Sequence, residues 1–495
     1  MTEPAYIELR SRSAFSFLAA ASLPEDLIAH AASLGYPAVA LGDHEGVYGA
    51  PRFHQAAKKA GLRALVGATV TGDDLLLLAS DAAGYQNLCQ LITASKLRAA
   101  KGESRVEWRD LEEHSDGLIC LARPIDRSDP TQTDLAAIRT LQRLFPGRLY
   151  LELQRHFDAQ EERLNRRLID AAGACRLPLV ATNDVRHACA DARRLLDILT
   201  CIGTKTTLDA AGRRLLANAE RHLKPPPEMA HLFRDLPEAI ANTRRIAEQC
   251  QFTLENLGYR FPEYPLPAGM SADAFLRQLT EQGARQRYGK VLSQRVRRQL
   301  EHELTIIGKL ELAGYFLIVW DIVRYCREQG ILAQGRGSAA NSAVCYSLGI
   351  TAVDAVGMEL LFERFLSEER GEWPDIDIDL PSGDQREKVI QYVYQRYGER
   401  GAAMTANVIT YRTRSAVREV GKALGFRLDQ VDRLSKLLSR FEFRDDLDDL
   451  QKQLKAGGVD PRAPRVRMLV DLVQQIQGLP RHLGQHSGGM VVAAG

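Results

Sequence analysis

Over roughly its first 215 residues the chain alternates short apolar runs with amphipathic helical patterns. Runs at 38–41, 64–66, 149–153 and 177–182 read as buried strands, and the stretches between them as helices. That alternation implies an α/β domain built on a mainly parallel sheet or barrel. The 495 residues are enough for about three domains, and a 45% apolar composition can fill their cores. Pro225, Pro226 and Pro227, with further prolines at 262–267, punctuate a more polar stretch, so 216–265 is expected to be a connecting segment. Ser271 is placed to cap a helix that opens a mixed α/β domain. From 407 to 477 the patterns are helical, around the acids Asp445, Asp446, Asp448 and Asp449.

Several function classes recede on composition. The eight cysteines are scattered, with no Cys-x-x-Cys pair to suggest zinc or redox chemistry. The start of the chain has no basic stretch followed by an apolar core, and runs such as 75–79 are far too short to cross a bilayer. The expectation is a cytoplasmic protein with no membrane partner. Net charge is only +2, from 65 basic and 63 acidic residues, so any contact with nucleic acid must come from local patches. The densest basic stretch is Arg285, Arg287, Lys290, Arg295, Arg297 and Arg298; a second comprises Arg412, Arg414, Arg418 and Lys422. Runs of this kind also serve as ordinary solvated helix faces.

Two motifs carry chemistry. Residues 331–334 read as a short strand, Gly335-Arg336-Gly337-Ser338 as a sharp turn, and 339–348 as a helix. A glycine turn at a helix N-terminus can cradle phosphate, because backbone N–H groups and the helix dipole favour an anion, and Arg336 could add a charge-assisted contact. No Gly-Lys-Ser/Thr follows, so it is not a Walker A loop, and a plain glycine turn with a serine cap has the same pattern. About forty residues on, Asp375-Ile376-Asp377-Ile378-Asp379-Leu380 alternates acids with apolar residues, which places three carboxylates on one face of a strand. Hard cations such as Mg²⁺ would offset their repulsion; an exposed edge strand with solvated acids is the competing reading. The two motifs together have the layout of a nucleotidyltransferase palm, in which the turn holds a triphosphate and the acids hold metal ions. Arg364 and Arg370, just upstream of the acids, are candidates to neutralise phosphate charge, or are surface arginines.

At this point the residues resemble a known family. Gly335-Arg336-Gly337-Ser338-Ala339-Ala340-Asn341-Ser342, Leu361-Phe362-Glu363-Arg364-Phe365-Leu366 and Pro374-Asp375-Ile376-Asp377-Ile378-Asp379 are similar to the alpha subunit of bacterial DNA polymerase III, a C-family polymerase. Residues 34–67 and 151–184 resemble that family's N-terminal PHP domain, with some likeness to its error-prone members. The resemblance implies a PHP domain over 1–215, folded as a distorted β/α barrel, a palm over 266–405, a mostly helical thumb over 406–482, and a return into the palm at 483–495. It implies template-directed nucleotidyl transfer with Mg²⁺ on Asp375 and Asp377, and Asp379 in support. The implied substrates are primer–template DNA and deoxynucleoside triphosphates.

The sequence also departs from the family. The His-x-His expected at the start of the PHP domain is Arg10-Ser11-Arg12, and Ala19, Thr69 and Arg186 stand where two acids and a histidine are expected. Asp43, His44, His156 and Asp184 remain. Arginine cannot ligate a metal, so PHP metals are expected to be absent. No acid follows residue 490 to serve as a third catalytic carboxylate, which leads to the expectation of an N-terminal portion whose missing half, with any clamp contact, lies elsewhere or on a second polypeptide. Alternatives are a PHP phosphoesterase or exonuclease, and a non-catalytic DNA-binding assembly module.

Overall fold

The computed structural model describes residues 6–71, 74–124, 134–255, 257, 262–366, 376–438, 454–455 and 459–494. They divide into two compact units. One comprises Met1–Leu257 with Val408–Gly484, the other Gly258–Asn407 with Gln485–Gly495.

The first unit is built on a six-stranded sheet, ordered β1 (Ala38–His44), β2 (Arg63–Val70), β3 (Leu75–Ala79), β4 (Leu118–Ala122), β5 (Leu149–Leu153) and β6 (Leu179–Ala181). β1–β2, β4–β5 and β5–β6 are parallel, whereas β3 runs antiparallel to both neighbours. The sheet is therefore mixed. The stretch between β2 and β3 is too short for a crossover and can only reverse the chain. Alternate β3 residues serve two cores: Leu75, Leu77 and Ala79 face Leu88, Leu91 and Ile138, while Leu76 and Leu78 face Ile119, Leu121 and Ile246. The N-terminal segment curls the sheet towards a barrel. Ala40 N donates to Glu8 O and Gly42 N to Ser11 O on one side, while Arg12 N donates to Val185 O and Val185 N to Arg10 O on the other.

The first unit takes in two stretches that the sequence expectation set apart from residues 1–215. Within the segment expected to connect domains, helices Pro226–Leu232 and Pro237–Gln249 pack on the sheet. Asn242 Nδ2 donates to Leu179 O at 2.8 Å, Thr243 Oγ1 accepts from Ile7 N at 3.1 Å, and Ile246 is fully buried. Their prolines sit in the first helical turn, where a missing N–H costs nothing. The second stretch holds helices Thr413–Ala423, Leu428–Leu438 and Pro464–Ile476. Their Val417, Val420, Leu434 and Leu469 share one core with Leu195, Leu196 and Leu199 of helix Arg193–Gly203, so this region belongs to the same compact unit as the sheet.

The second unit packs helices Ala272–Arg287, Gln294–Lys309 and Ala313–Glu328 around Leu276, Ile307, Phe316 and Leu348. Ser271 caps the first, accepting from Ala274 N at 3.2 Å. Two short strands, β7 (Gln334–Arg336) and β8 (Asp377–Asp379), pair antiparallel, and helix Asp384–Gly401 follows. β9 (Ala402–Thr410) and β10 (Pro480–Val492) form a separate two-stranded ribbon. Asp445, Asp446, Asp448 and Asp449 lie outside the described residues. Among the described residues no helix is long and apolar enough to cross a membrane.

Candidate active site

The register of β7 on β8 sets the geometry of the first cluster. Arg336 stands opposite Asp377, Gly335 opposite Ile378, and Gln334 opposite Asp379. Asp377 and Asp379 are exposed on one face, while Ile376 and Ile378 pack against the helical core, as period-two alternation requires. Arg336 Nε reaches Asp379 Oδ1 at 3.2 Å. Tyr315 Oη accepts from Ile376 N at 3.1 Å and so fixes where β8 begins. The acids, Tyr315, Arg336 and Arg386 line a cleft of about 740 Å³ together with residues 486–492. Asp375 and Arg370 lie outside the described residues.

The glycine turn is built differently from its sequence reading. The strand begins three residues later than expected and includes Gly335 and Arg336. Gly335 N donates to Ile350 O at 2.6 Å, and a Cβ on Gly335 would sit 2.7 Å from that oxygen, so only glycine fits. Gly337 takes a positive φ of 66°. The expected single helix is split into a 3₁₀ turn, Gly337–Asn341, and a short α-helix, Ala343–Leu348. The α-helical N-terminus is not open to phosphate, because Glu303, reaching over from helix Gln294–Lys309, accepts from Ala343 N at 2.9 Å and Val344 N at 3.0 Å. What the turn presents is therefore Gly337, exposed, and Ser338, half-buried, with Arg364 exposed in the 3₁₀ turn Phe362–Arg364.

A second cluster lies in the first unit, beside the N-terminal segment. Arg10 pairs bidentately with Glu152, Nε to Oε1 at 2.7 Å and Nη2 to Oε2 at 2.6 Å, both side chains buried. Asp184 meets Arg12 at 3.1 Å and Arg186 at 3.0 Å, and also pairs with Arg221. Burial alone would raise the Asp184 carboxyl, but the guanidinium groups of Arg12, Arg186 and Arg221 outweigh it and hold it well below the usual carboxylate range. His156 places Nδ1 at 3.0 Å from Glu161 and Nε2 at 2.9 Å from Asn183 O. Asp43 accepts from Ser13 N and Ser16 Oγ at 2.7 Å and from Ser13 Oγ at 2.8 Å; burial pushes its pKa up to about 6 against these donors. His44 lies near Glu45, at 3.8 Å, and Thr69 donates to Gly42 O at 2.9 Å.

Residues 8–156 match the model of the PHP domain, and residues 274–495 that of the bacterial DNA polymerase III alpha NTPase domain. The chain joins a PHP domain to a bacterial DNA polymerase III alpha domain. An error-prone DNA polymerase of Dechloromonas aromatica is 43% identical over 100% of this chain and 48% of its own length. One of Pseudomonas paraeruginosa is 44% identical over 99% of this chain and 47% of its own. The chain thus spans about half the length of the curated relatives it matches. Among solved structures, an amidohydrolase of Chromobacterium violaceum covers 37% of this chain and 88% of its own at 13% identity, with a TM-score of 0.27, too slight a likeness to bear on function.

A PHP metal cluster does not fit the donors present. The Asp184 carboxylate faces three guanidinium groups, both His156 nitrogens face acceptors, and both Asp43 oxygens are taken by serines. Among the described residues no group of three or more His, Cys, Asp or Glu is arranged to hold a metal ion. Asp377 and Asp379 do fit Mg²⁺ as donors, being exposed carboxylates on one face. Reading along the sequence missed Glu152, Glu161 and Arg221 in the first unit's cluster and Tyr315 and Glu303 beside the glycine turn and the acids of β8. Only Glu161, five residues after His156, had a local signal. Of the second basic patch, Arg414, Arg418 and Lys422 recur at helical spacing on one face; Arg418 lies 3.2 Å from Asp432 and Lys422 3.8 Å from Glu419, while Arg412 precedes the helix. In the first patch, Arg287 donates to Thr351 O and Arg295 to Val356 O, which puts part of that charge into holding a loop.

Proposed function

We propose that this chain is the PHP, palm and thumb portion of an error-prone, DNA-directed DNA polymerase acting on primer–template DNA and deoxynucleoside triphosphates. The observation that carries the proposal is the pairing of β7 with β8, which sets Arg336 of the glycine turn opposite Asp377 and lines one cleft with Arg336, Asp377 and Asp379. In this reading Asp375 and Asp377 hold Mg²⁺, and Asp379, engaged by Arg336, supports them. The metal, when bound, would activate the primer hydroxyl and offset charge on the leaving pyrophosphate. Gly335 shapes the turn, Gly337 and Ser338 offer it to the triphosphate, and Arg336, Arg364 and Arg370 neutralise phosphate charge. Arg412, Arg414, Arg418 and Lys422 would follow the duplex backbone from the thumb, a salt-sensitive and sequence-independent contact. The PHP domain would be metal-free and serve as the platform for the thumb. The third carboxylate and any clamp contact would come from sequence outside these residues, or from a second polypeptide, and the enzyme would work in the cytoplasm.

A PHP phosphoesterase is disfavoured because Arg10, Arg12 and Arg186 stand where the family resemblance implies histidine ligands, and Arg12 and Arg186 pair with Asp184. A purely DNA-holding module would not need two exposed acids facing a glycine turn. The test is primer extension in Mg²⁺ by the polymerase polypeptide that contains these residues, against its Asp377→Asn form. Extension should be abolished, since an amide brings no charge to hold a cation. Extension that survives the substitution refutes the assignment.

A further inference from the structure

Glu303 is a fully buried acid on helix Gln294–Lys309 whose partners lie almost entirely on another segment. One carboxylate oxygen accepts from Ser342 Oγ at 2.7 Å and Val344 N at 3.0 Å; the other accepts from Ala343 N at 2.9 Å and Gln299 Nε2 at 2.9 Å. Ser342 Oγ in turn accepts from Cys345 N at 3.0 Å, so the hydroxyl already caps helix Ala343–Leu348 by itself. A carboxylate is an expensive addition to a helix end that has its cap. Burial raises the Glu303 pKa, and four donors are needed to keep the charge tolerable.

What the carboxylate adds is a tie between segments. At its far end the turn is held by Gly335 N on Ile350 O and by the pairing of β7 with β8. At its near end, residues 342–344 are held by Glu303. Gly337 and Ser338 therefore sit between two clamps, one of which is continuous with the strand carrying Asp377 and Asp379. We propose that Glu303 is the positioning residue of the triphosphate turn: it sets the place of Gly337 and Ser338 relative to the acids of β8 without touching substrate. This rests on the reading of the turn as the triphosphate site. Glutamine in its place would keep the shape but turn an NH₂ towards at least one N–H or O–H donor, leaving donors opposed in a buried site.

Two measurements test it. In the polymerase polypeptide that contains these residues, Glu303→Gln should raise the KM for deoxynucleotide about tenfold while kcat changes little, the signature of weakened uniform binding. Hydrogen exchange in 335–344 should quicken, with β1–β6 unaffected. Ser342→Ala, which removes one donor and uncovers no charge, should shift KM the same way by less, and decides the matter if Glu303→Gln does not fold. An unchanged KM, or equal loss in KM and kcat with exchange quickened everywhere, overturns the positioning role. If Glu303→Gln leaves KM unchanged while Asp377→Asn still abolishes incorporation, the positioning role is refuted and the polymerase reading stands. Incorporation that survives Asp377→Asn refutes that reading itself.

Discussion

Replacing Arg10 with methionine would remove one side of an ion pair whose other side cannot reach water. Arg10 is 1% exposed and Glu152 0%, and the guanidinium covers both carboxylate oxygens. Without it Glu152 retains Gln154 Nε2 at 3.1 Å and the Thr182 hydroxyl, neither of which carries charge. Breaking a buried pair from one side costs about 3–5 kcal/mol, so Arg10→Met should lower the unfolding free energy by that order in urea titrations followed by circular dichroism. Removing both charges is a different matter, because two apolar side chains of similar volume need no compensation. Arg10→Met with Glu152→Leu should lie within about 1 kcal/mol of the parent, or above it. The urea midpoint of the parent should also be indifferent to EDTA, since the carboxylates of Glu152 and Asp184 are already paired with arginines. A single variant costing under about 1 kcal/mol, or a double variant as weak as the single, would refute the electrostatic account. A fall in midpoint with EDTA would show that a metal holds the site after all.

Two further outcomes follow from the same structure. Asp43 has a folded pKa of about 6 against an ordinary 3.8, so the native state binds the extra proton between them, and stability from this group is fully present below about pH 4 and lost as pH rises through 6. Asp43→Asn should flatten that fall, of order 3 kcal/mol by about 1.36 per unit, in urea titrations at several pH values; an unaltered slope sinks the assignment. Leu199 is 2% exposed in the core that helix Arg193–Gly203 shares with helices Thr413–Ala423 and Pro464–Ile476. Leu199→Ala should cost about 2–5 kcal/mol and quicken hydrogen exchange in 413–423 and 464–476; unaltered exchange there would mean that those helices hold together without Leu199.

What could be read along the chain was whatever neighbours in sequence dictate. The alternation of 375–380 put Asp377 and Asp379 on one face because successive strand residues point opposite ways, and Ser271 capped its helix because the cap bond spans three residues. The runs at 38–41 and 149–153 also became strands, because runs of buried apolar residues of that length are a local signal. Periodicity reports that a face is buried, not what buries it. The partners of Leu195 and Leu199 come from more than two hundred residues further on, so the single core shared by helices Arg193–Gly203 and Thr413–Ala423 could not be read along the chain. Helices within 216–257 looked like linker because prolines read locally as breaks, although at a helix start they are harmless. Asp184 acquires its charge state from Arg12 and Arg221, and the glycine turn its anchor from Glu303, only once the chain has brought distant side chains within hydrogen-bond reach. Residue types and spacing thus determined the local frame and the chemistry on offer. Burial and charge partners, which depend on long-range packing, decided that Asp184 is spent on arginines and Asp43 on serines, while the acids of β8 remain exposed beside the turn.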